Sequence, residues 1–74
     1  MDDEVHKPAH YALPGHPDIE CIDVCEALQL NLCLGSAFQY IWRAGRKGDA
    51  AKALVDLKKA RWYLDREIWR LEGL

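Results

Sequence analysis

Apolar residues recur at helical spacing through most of the chain, and they predict a protein built from three helices. The first helix is expected over about 17–30, since Pro17 suits a first helical turn. No segment shows the alternation with period two that indicates a β-strand. The predicted fold class is therefore all-α, with residues 1–16 as an irregular arm that holds all three histidines and residues 17–74 as one three-helix domain.

Capping residues define the second and third predicted helices. The second is expected over about 32–44, with Asn31 as its N-cap and Gly45 just beyond its last turn. The third is expected over about 50–72, with Asp49 as its N-cap.

A glycine inside the second predicted helix needs a separate explanation. Gly35 costs about 1 kcal/mol relative to alanine at such a position. We therefore expect another backbone to approach the helix closely there.

The third helix carries two apolar stripes. The first is a seam at heptad-like spacing, formed by Leu54, Leu57, Leu64, Ile68 and Leu71. We expect this seam to pack against the first two helices. The second stripe consists of Val55, Trp62 and Trp69 at intervals of seven residues, and it points elsewhere. We predict that this tryptophan stripe contacts a partner subunit, so that the chain forms a homo-oligomeric helical bundle.

Length and charge narrow the possible partners. The chain has 74 residues and a formal net charge of −2, which gives no general reason to expect DNA or an anionic membrane. No apolar run approaches the roughly 20 residues of a membrane helix. The acidic start, Met1-Asp2-Asp3-Glu4, is unlike a signal peptide, and a cytoplasmic location is expected.

The three cysteines are interpreted as free thiols in a reducing compartment. Their number is odd, which does not suit a disulfide framework. Cys21 and Cys25 lie four apart on one face of the predicted helix, and His6, His10 and His16 could complete a zinc site, but the C-x2-C pairing of zinc ribbons is absent. No metal site is therefore assigned.

The strongest chemical signal is a basic cluster near the start of the third helix. It consists of Arg43, Arg46, Lys47 and Lys52. Gly45 and Gly48 flank the loop, and Tyr40 and Trp42 lie one turn earlier. Cations, glycines and a helix N-terminus suit a phosphate, and the aromatic rings suit a base. The alternative is that the cations only interact with the negative end of the second helix.

Two further sets of polar residues allow two interpretations each. The acidic series Glu20, Asp23 and Glu26 could hold Mg²⁺, as paired carboxylates do in helical nucleotide pyrophosphatases, or could form salt bridges with Arg43, Lys59 or Arg61. The pair His10-Tyr11 could contact a ligand or could attach the arm to the domain.

One block of sequence resembles a known family. The run Tyr-Ile-Trp-Arg-Ala-Gly-Arg-Lys-Gly-Asp at 40–49, followed by Asp-Leu-Lys-Lys-Ala at 56–60, is similar to a pattern in short bacteriophage proteins of unknown function. The resemblance extends over about residues 8–70. Many of these proteins are labelled nucleotide kinases after an early phage protein that phosphorylates nucleoside monophosphates.

The resemblance implies a site built from every part of the chain. The recurring polar residues of the family fall on His10, Tyr11, Glu20, Asp23, Tyr40, Arg43, Lys47, Asp56, Lys59 and Tyr63. A subunit of this size cannot enclose a nucleotide alone, so the pocket is expected between subunits. The predicted ligand-binding residues are His10, Tyr11, Tyr40, Arg43, Arg46, Lys47, Lys59 and Tyr63.

Three functions follow as hypotheses. The first is a phage-type protein that binds and sequesters a phosphorylated nucleotide, such as a second messenger of bacterial immunity, in the cytoplasm of the infected host. It requires no catalytic residue and no cofactor. The second is a nucleotide kinase, which would need Mg²⁺. The third is a helical module that inhibits a host protein.

Overall fold

Three helices form most of the protein. The computed structural model describes residues 12–46 and 48–74. Helix α1 covers Cys21–Ala27, α2 covers Leu32–Arg43 and α3 covers Ala50–Glu72. Within the part of the chain so described, no helix is both long enough and apolar enough to cross a membrane.

The fold is mostly helical, as predicted, but a short β-hairpin precedes the three helices, so it is not all-α. Strand β1 (Ala12–Leu13) pairs antiparallel with β2 (His16–Glu20). Gly15 makes the turn between them with a φ of 82°, a left-handed conformation that glycine adopts without strain. Pro17 lies in β2 rather than in a first helical turn, which a two-stranded sheet tolerates because an edge strand has unpaired N–H positions.

Helix α1 is shorter at both ends than the predicted 17–30. It begins after Glu20, whose backbone N–H donates to Oδ2 of Asp23 at 2.7 Å. It ends because Gln29 adopts a φ of 54°, and Leu30 N–H donates to the Cys25 carbonyl at 3.0 Å. This is the Schellman arrangement that usually has glycine at the left-handed position.

The other two helices begin and end as their caps predicted. Oδ1 of Asn31 accepts from Leu34 N–H at 2.9 Å, and Oδ1 of Asp49 accepts from Lys52 N–H at 3.1 Å. Gly45, with a φ of 79°, follows the end of α2 in the left-handed region. The predicted bounds are confirmed for α3, and α2 ends at 43 rather than 44.

Helices α2 and α3 pack through small and polar side chains. Ala37 and Ala60 are almost fully buried, and Trp42 completes the apolar part of this core. Two acidic residues of α3, Asp56 and Glu67, are buried as well. Alanines allow the two helices to approach closely, and the buried carboxylates then need partners on the facing surface.

The carboxylate of Glu67 has one partner at the start of α2 and another on α3 itself. Asn31 Nδ2 donates to Glu67 Oε2 at 2.9 Å, and Arg70 donates from Nη2 and Nε at 2.8 and 3.1 Å. These bonds, first from Arg70 and then from Asn31, lower the pKa of Glu67 below its ordinary value. The cluster therefore fixes the end of α3 against the N-cap of α2.

The apolar seam of α3 does not pack against α1 and α2, so that prediction is wrong. Its side chains are 38% to 53% exposed: Leu54, Leu57, Leu64, Ile68 and Leu71. Helix α3 instead turns Asp56, Ala60 and Glu67 toward α2. Successive residues of an α-helix lie about 100° apart around its axis. The observed inner face of α3 is rotated by about that angle from the predicted one.

The prediction of a close backbone approach at Gly35 is also wrong. A Cβ added to Gly35 would meet no atom within 4 Å. Gly35 instead lines a groove of about 310 Å³ between α1 and α2, together with residues that include Cys21 and Cys25. The glycine widens this groove and does not bring two backbones together.

Candidate functional site

A groove of about 410 Å³ lies between the end of α2 and the first half of α3. Its charged lining consists of Arg43, Lys52, Lys59 and Asp56. Ala51 and Val55 form the apolar remainder. The volume lies within the range of about 300–1,000 Å³ that is typical of small-molecule pockets. Counted over the described residues, three cations and one carboxylate line this groove, so it is positive in a chain of net charge −2.

Arg43 forms the wall of the groove that belongs to α2. Its Nε lies 3.7 Å from Oδ2 of the buried Asp56, an ion pair too long for a hydrogen bond. That Nε is buried and has no hydrogen-bond partner. Asp56 therefore holds the Arg43 side chain in place by its charge but does not accept a hydrogen bond from Nε. The salt bridges considered for Arg43 with Glu20 or Asp23 are not formed, and the partner is Asp56.

An aromatic pair lies beside these cations. The rings of Tyr40 on α2 and Tyr63 on α3 stack with centroids 6.0 Å apart and an interplanar angle of 18°. Lys59 Nζ lies 5.5 Å and Arg43 Cζ 5.8 Å from the Tyr40 centroid, both within cation–π distance. Four of the predicted ligand-binding residues are thus brought together at one end of the α2–α3 pair.

Lys52 is part of the groove although it was not among the predicted ligand-binding residues. A Cβ on Gly48 would overlap the aliphatic chain of Lys52, and Gly48 itself has a φ of 86°. The lysine stem therefore packs on a position that only glycine can occupy. The signal in the sequence was the interval of seven residues between Lys52 and Lys59, which places both on one side of α3.

Arg46, in contrast, turns away from the groove. Its Nε donates to the Trp42 carbonyl at the end of α2, and its Cζ lies 5.5 Å from the Trp42 ring centroid. This contact matches the alternative in which a cation interacts with the negative end of the helix. Three other predicted ligand-binding residues lie outside the described ranges: His10, Tyr11 and Lys47.

The candidate metal carboxylates lie at the start of α1. Asp23 accepts the hydrogen bond from Glu20 N–H and so caps the start of the helix. Among residues 12–46 and 48–74 there is no group of three or more histidine, cysteine or acidic side chains arranged to hold a metal ion.

The tryptophan stripe is open to solvent and begins at the groove. Trp62 and Trp69 are 61% and 63% exposed, and Val55 is half-exposed. Trp62 meets Tyr63 edge-on at 5.1 Å, and Arg66 Cζ lies 4.7 Å from the Trp69 centroid. Because Val55 belongs both to the stripe and to the groove lining, any surface that covers the stripe also borders the groove.

The cysteines lie away from this site. All three carry free thiols and are half-buried. Burial first, and then the charge interaction and the hydrogen bond between the Cys21 and Cys25 side chains, raise the pKa of Cys21 to about 12. At neutral pH the Cys21 thiol is therefore protonated and a poor nucleophile.

Comparison with known proteins places the chain in a family. Residues 5–65 match the model of DUF3310, described as a protein of unknown function. The chain belongs to the DUF3310 family. The predicted membership of a family of unknown function is thereby confirmed, and the matched range includes every residue that lines the groove. No curated protein and no solved structure gives a significant match.

Proposed function

We propose that this DUF3310 protein binds a phosphorylated nucleotide in the α2–α3 groove and holds it unchanged. The observation that carries the proposal is the convergence of three cations on one concave surface, with a stacked tyrosine pair beside two of them. Guanidinium and ammonium groups donate charge-assisted hydrogen bonds to phosphate oxygens. An aromatic ring offers a stacking surface to any base.

A second subunit would complete the pocket. Val55 lines the groove and also belongs to the exposed tryptophan stripe. A subunit that covers Trp62 and Trp69 would therefore also form a wall of the groove. This arrangement supports a homo-oligomer with nucleotide sites between its subunits, as the small size of the chain led us to expect.

Retention of the ligand fits the groove better than phosphoryl transfer. A kinase needs a donor site, an acceptor site and ligands for Mg²⁺ held in line. Among the residues that the structure describes, Asp56 is the one carboxylate that lines the groove, and it is already ion-paired with Arg43. Sequestration needs only affinity. The resemblance to short phage proteins makes cyclic and linear second messengers of bacterial immunity the first ligands to test.

The function is tested by mixing the purified protein with nucleoside monophosphates, ATP with Mg²⁺, and cyclic di- and oligonucleotides. Mass spectrometry is applied to the mixture and to the supernatant released by heat. We expect intact ligand to be recovered from the protein. A new phosphorylated product would replace the proposal with a kinase, and a panel without any bound member would overturn it.

Paired lysine variants test whether the groove is the site. We expect Lys52→Ala and Lys59→Ala each to weaken binding by about ten- to a hundred-fold, the loss of one charge-assisted bond of about 1.5–3 kcal/mol. Arg46→Ala is the control, because it removes a nearby positive charge that contacts Trp42 and does not line the groove. Titration calorimetry at two salt concentrations should also show affinity falling as salt rises. Equal losses in all three variants would contradict the assignment.

A further inference from the structure

We propose that the exposed seam of α3 is a contact surface for a second copy of this chain, and that the two α3 helices lie antiparallel. The seam consists of Leu54, Leu57, Leu64, Ile68 and Leu71. It is distinct from the tryptophan stripe, and the proposal does not depend on nucleotide binding.

The seam has the repeat of a coiled-coil core. Its residues occupy alternating a and d positions of consecutive heptads, with Arg61 at the one a position that is not apolar. From Leu54 to Leu71 the seam is about 26 Å long, at a helical rise of about 1.5 Å per residue. Each apolar side chain remains about half-exposed, because α2 occupies a neighbouring face of α3. A facing helix with the same repeat would cover it.

The antiparallel direction follows from the order of residues along the seam. When two seams run in opposite directions about their midpoint, every a position meets a d position. Leu54 then meets Leu71 of the second copy, and Leu57 meets Ile68 of the second copy. Arg61 meets Leu64 of the second copy rather than another arginine. In a parallel pair the two Arg61 side chains would face each other in the centre of an apolar contact, where like charges repel.

Charges beside the seam favour the same direction. Lys58 and Asp65 both lie at e positions, on the border of the seam that α2 leaves open, and both are exposed. Antiparallel helices bring e positions together, so Lys58 of each copy lies beside Asp65 of the other. Symmetry makes this pair occur twice. Asp65 of the second copy is also within one helical position of the layer that holds Arg61, which gives the central cation a nearby counter-charge.

The seam and the tryptophan stripe lie on different sides of α3. The polar side chains of Lys58 and Asp65 separate them along the helix surface. A chain with two separate self-complementary surfaces forms assemblies larger than a dimer. The seam pair is therefore one of two interfaces through which the proposed homo-oligomer would form.

Charge reversal provides a test that does not depend on disrupting the fold. We prepare Lys58→Glu and Asp65→Lys, each of which replaces two attractive contacts of the pair by two repulsive ones. Each variant alone should associate about three- to tenfold more weakly than the wild type. In an equal mixture, both contacts become attractive again between the two different variants. Native mass spectrometry should then show mixed pairs in clear excess over the statistical half.

The control is Glu26→Lys, an exposed charge reversal on α1 outside the seam, which should mix statistically with the wild type. Three results would overturn the proposal. The first is statistical mixing of the two seam variants. The second is a Lys58→Glu protein that associates with itself as strongly as the wild type does. The third is a wild type that sediments as a monomer at micromolar concentration.

Discussion

The side of α3 that faces α2 and the sides that face outward have opposite chemistry. The inner side carries Ala60 and two buried carboxylates, Asp56 and Glu67. The outward sides carry the leucine-rich seam and the tryptophan stripe, which are the largest apolar surfaces of the helix. In an ordinary small domain this distribution is reversed, because burial of large apolar side chains provides most of the stability.

The difference indicates separate roles for the two surfaces. The inner side fixes the register of α2 and α3, since Arg43 meets Asp56 at one end and Asn31 meets Glu67 at the other. Small and polar contacts specify position but bury little apolar area. The outward sides carry the large apolar area that is still exposed in the single chain. We propose that further copies of the same chain cover this area.

The largest expected effect comes from charging the outward stripe. Trp62→Glu combined with Trp69→Glu should dissociate the assembly or unfold the chain, because each large side chain contributes about 1.5–3 kcal/mol when it is buried. Sedimentation velocity measures the assembly and circular dichroism measures the fold. Unchanged sedimentation and melting of the double variant would show that the stripe remains exposed in the native protein.

A smaller effect is expected from overpacking the inner side. Ala60→Leu places a large side chain at a buried position of α3, and we expect a loss of about 1–3 kcal/mol of stability. Ala50→Leu is the matched control, because Ala50 is exposed at the start of α3. Urea unfolding of both variants gives the comparison. Equal stability would mean that the two helices do not approach each other through Ala60.

The smallest expected effect is a dependence of the protein's stability on pH, caused by Glu67. Because the folded pKa of Glu67 is lowered, its contribution is present above the ordinary glutamate pKa and is lost as pH falls through the folded value. Glu67→Gln should therefore lower the melting temperature at neutral pH and reduce its fall between neutral and acidic pH. The exposed Glu72→Gln is the control. A wild type and a Glu67→Gln protein with parallel melting profiles would contradict this role.

Local signals predicted part of this fold. Asn31, Asp49 and Gly45 defined the ends of α2 and α3 because capping is encoded within a few residues. The end of α1 was missed because Gln29 adopts the left-handed conformation for which glycine is the usual signal. The hairpin was missed because β1 has two residues, too few to show a strand period.

The rotation of α3 could not be predicted from its own sequence. A heptad seam normally marks the face that packs within the chain, and here that face is turned outward by polar contacts with α2. The same rotation brings Tyr40, Arg43, Lys59 and Tyr63 together. The residue types of the site were thus predictable, but Asp56 as the partner of Arg43 depended on the packing of two helices.

The central claim is that the α2–α3 groove binds a phosphorylated ligand. The most direct measurement is a set of amide chemical shifts of the ¹⁵N-labelled protein, recorded as a nucleotide found by the panel is added. We predict that the largest shifts occur at Tyr40, Arg43, Lys52 and Lys59. Shifts concentrated around Cys21 and Gly35 in the α1–α2 groove, or no shifts at saturating ligand, would contradict the account.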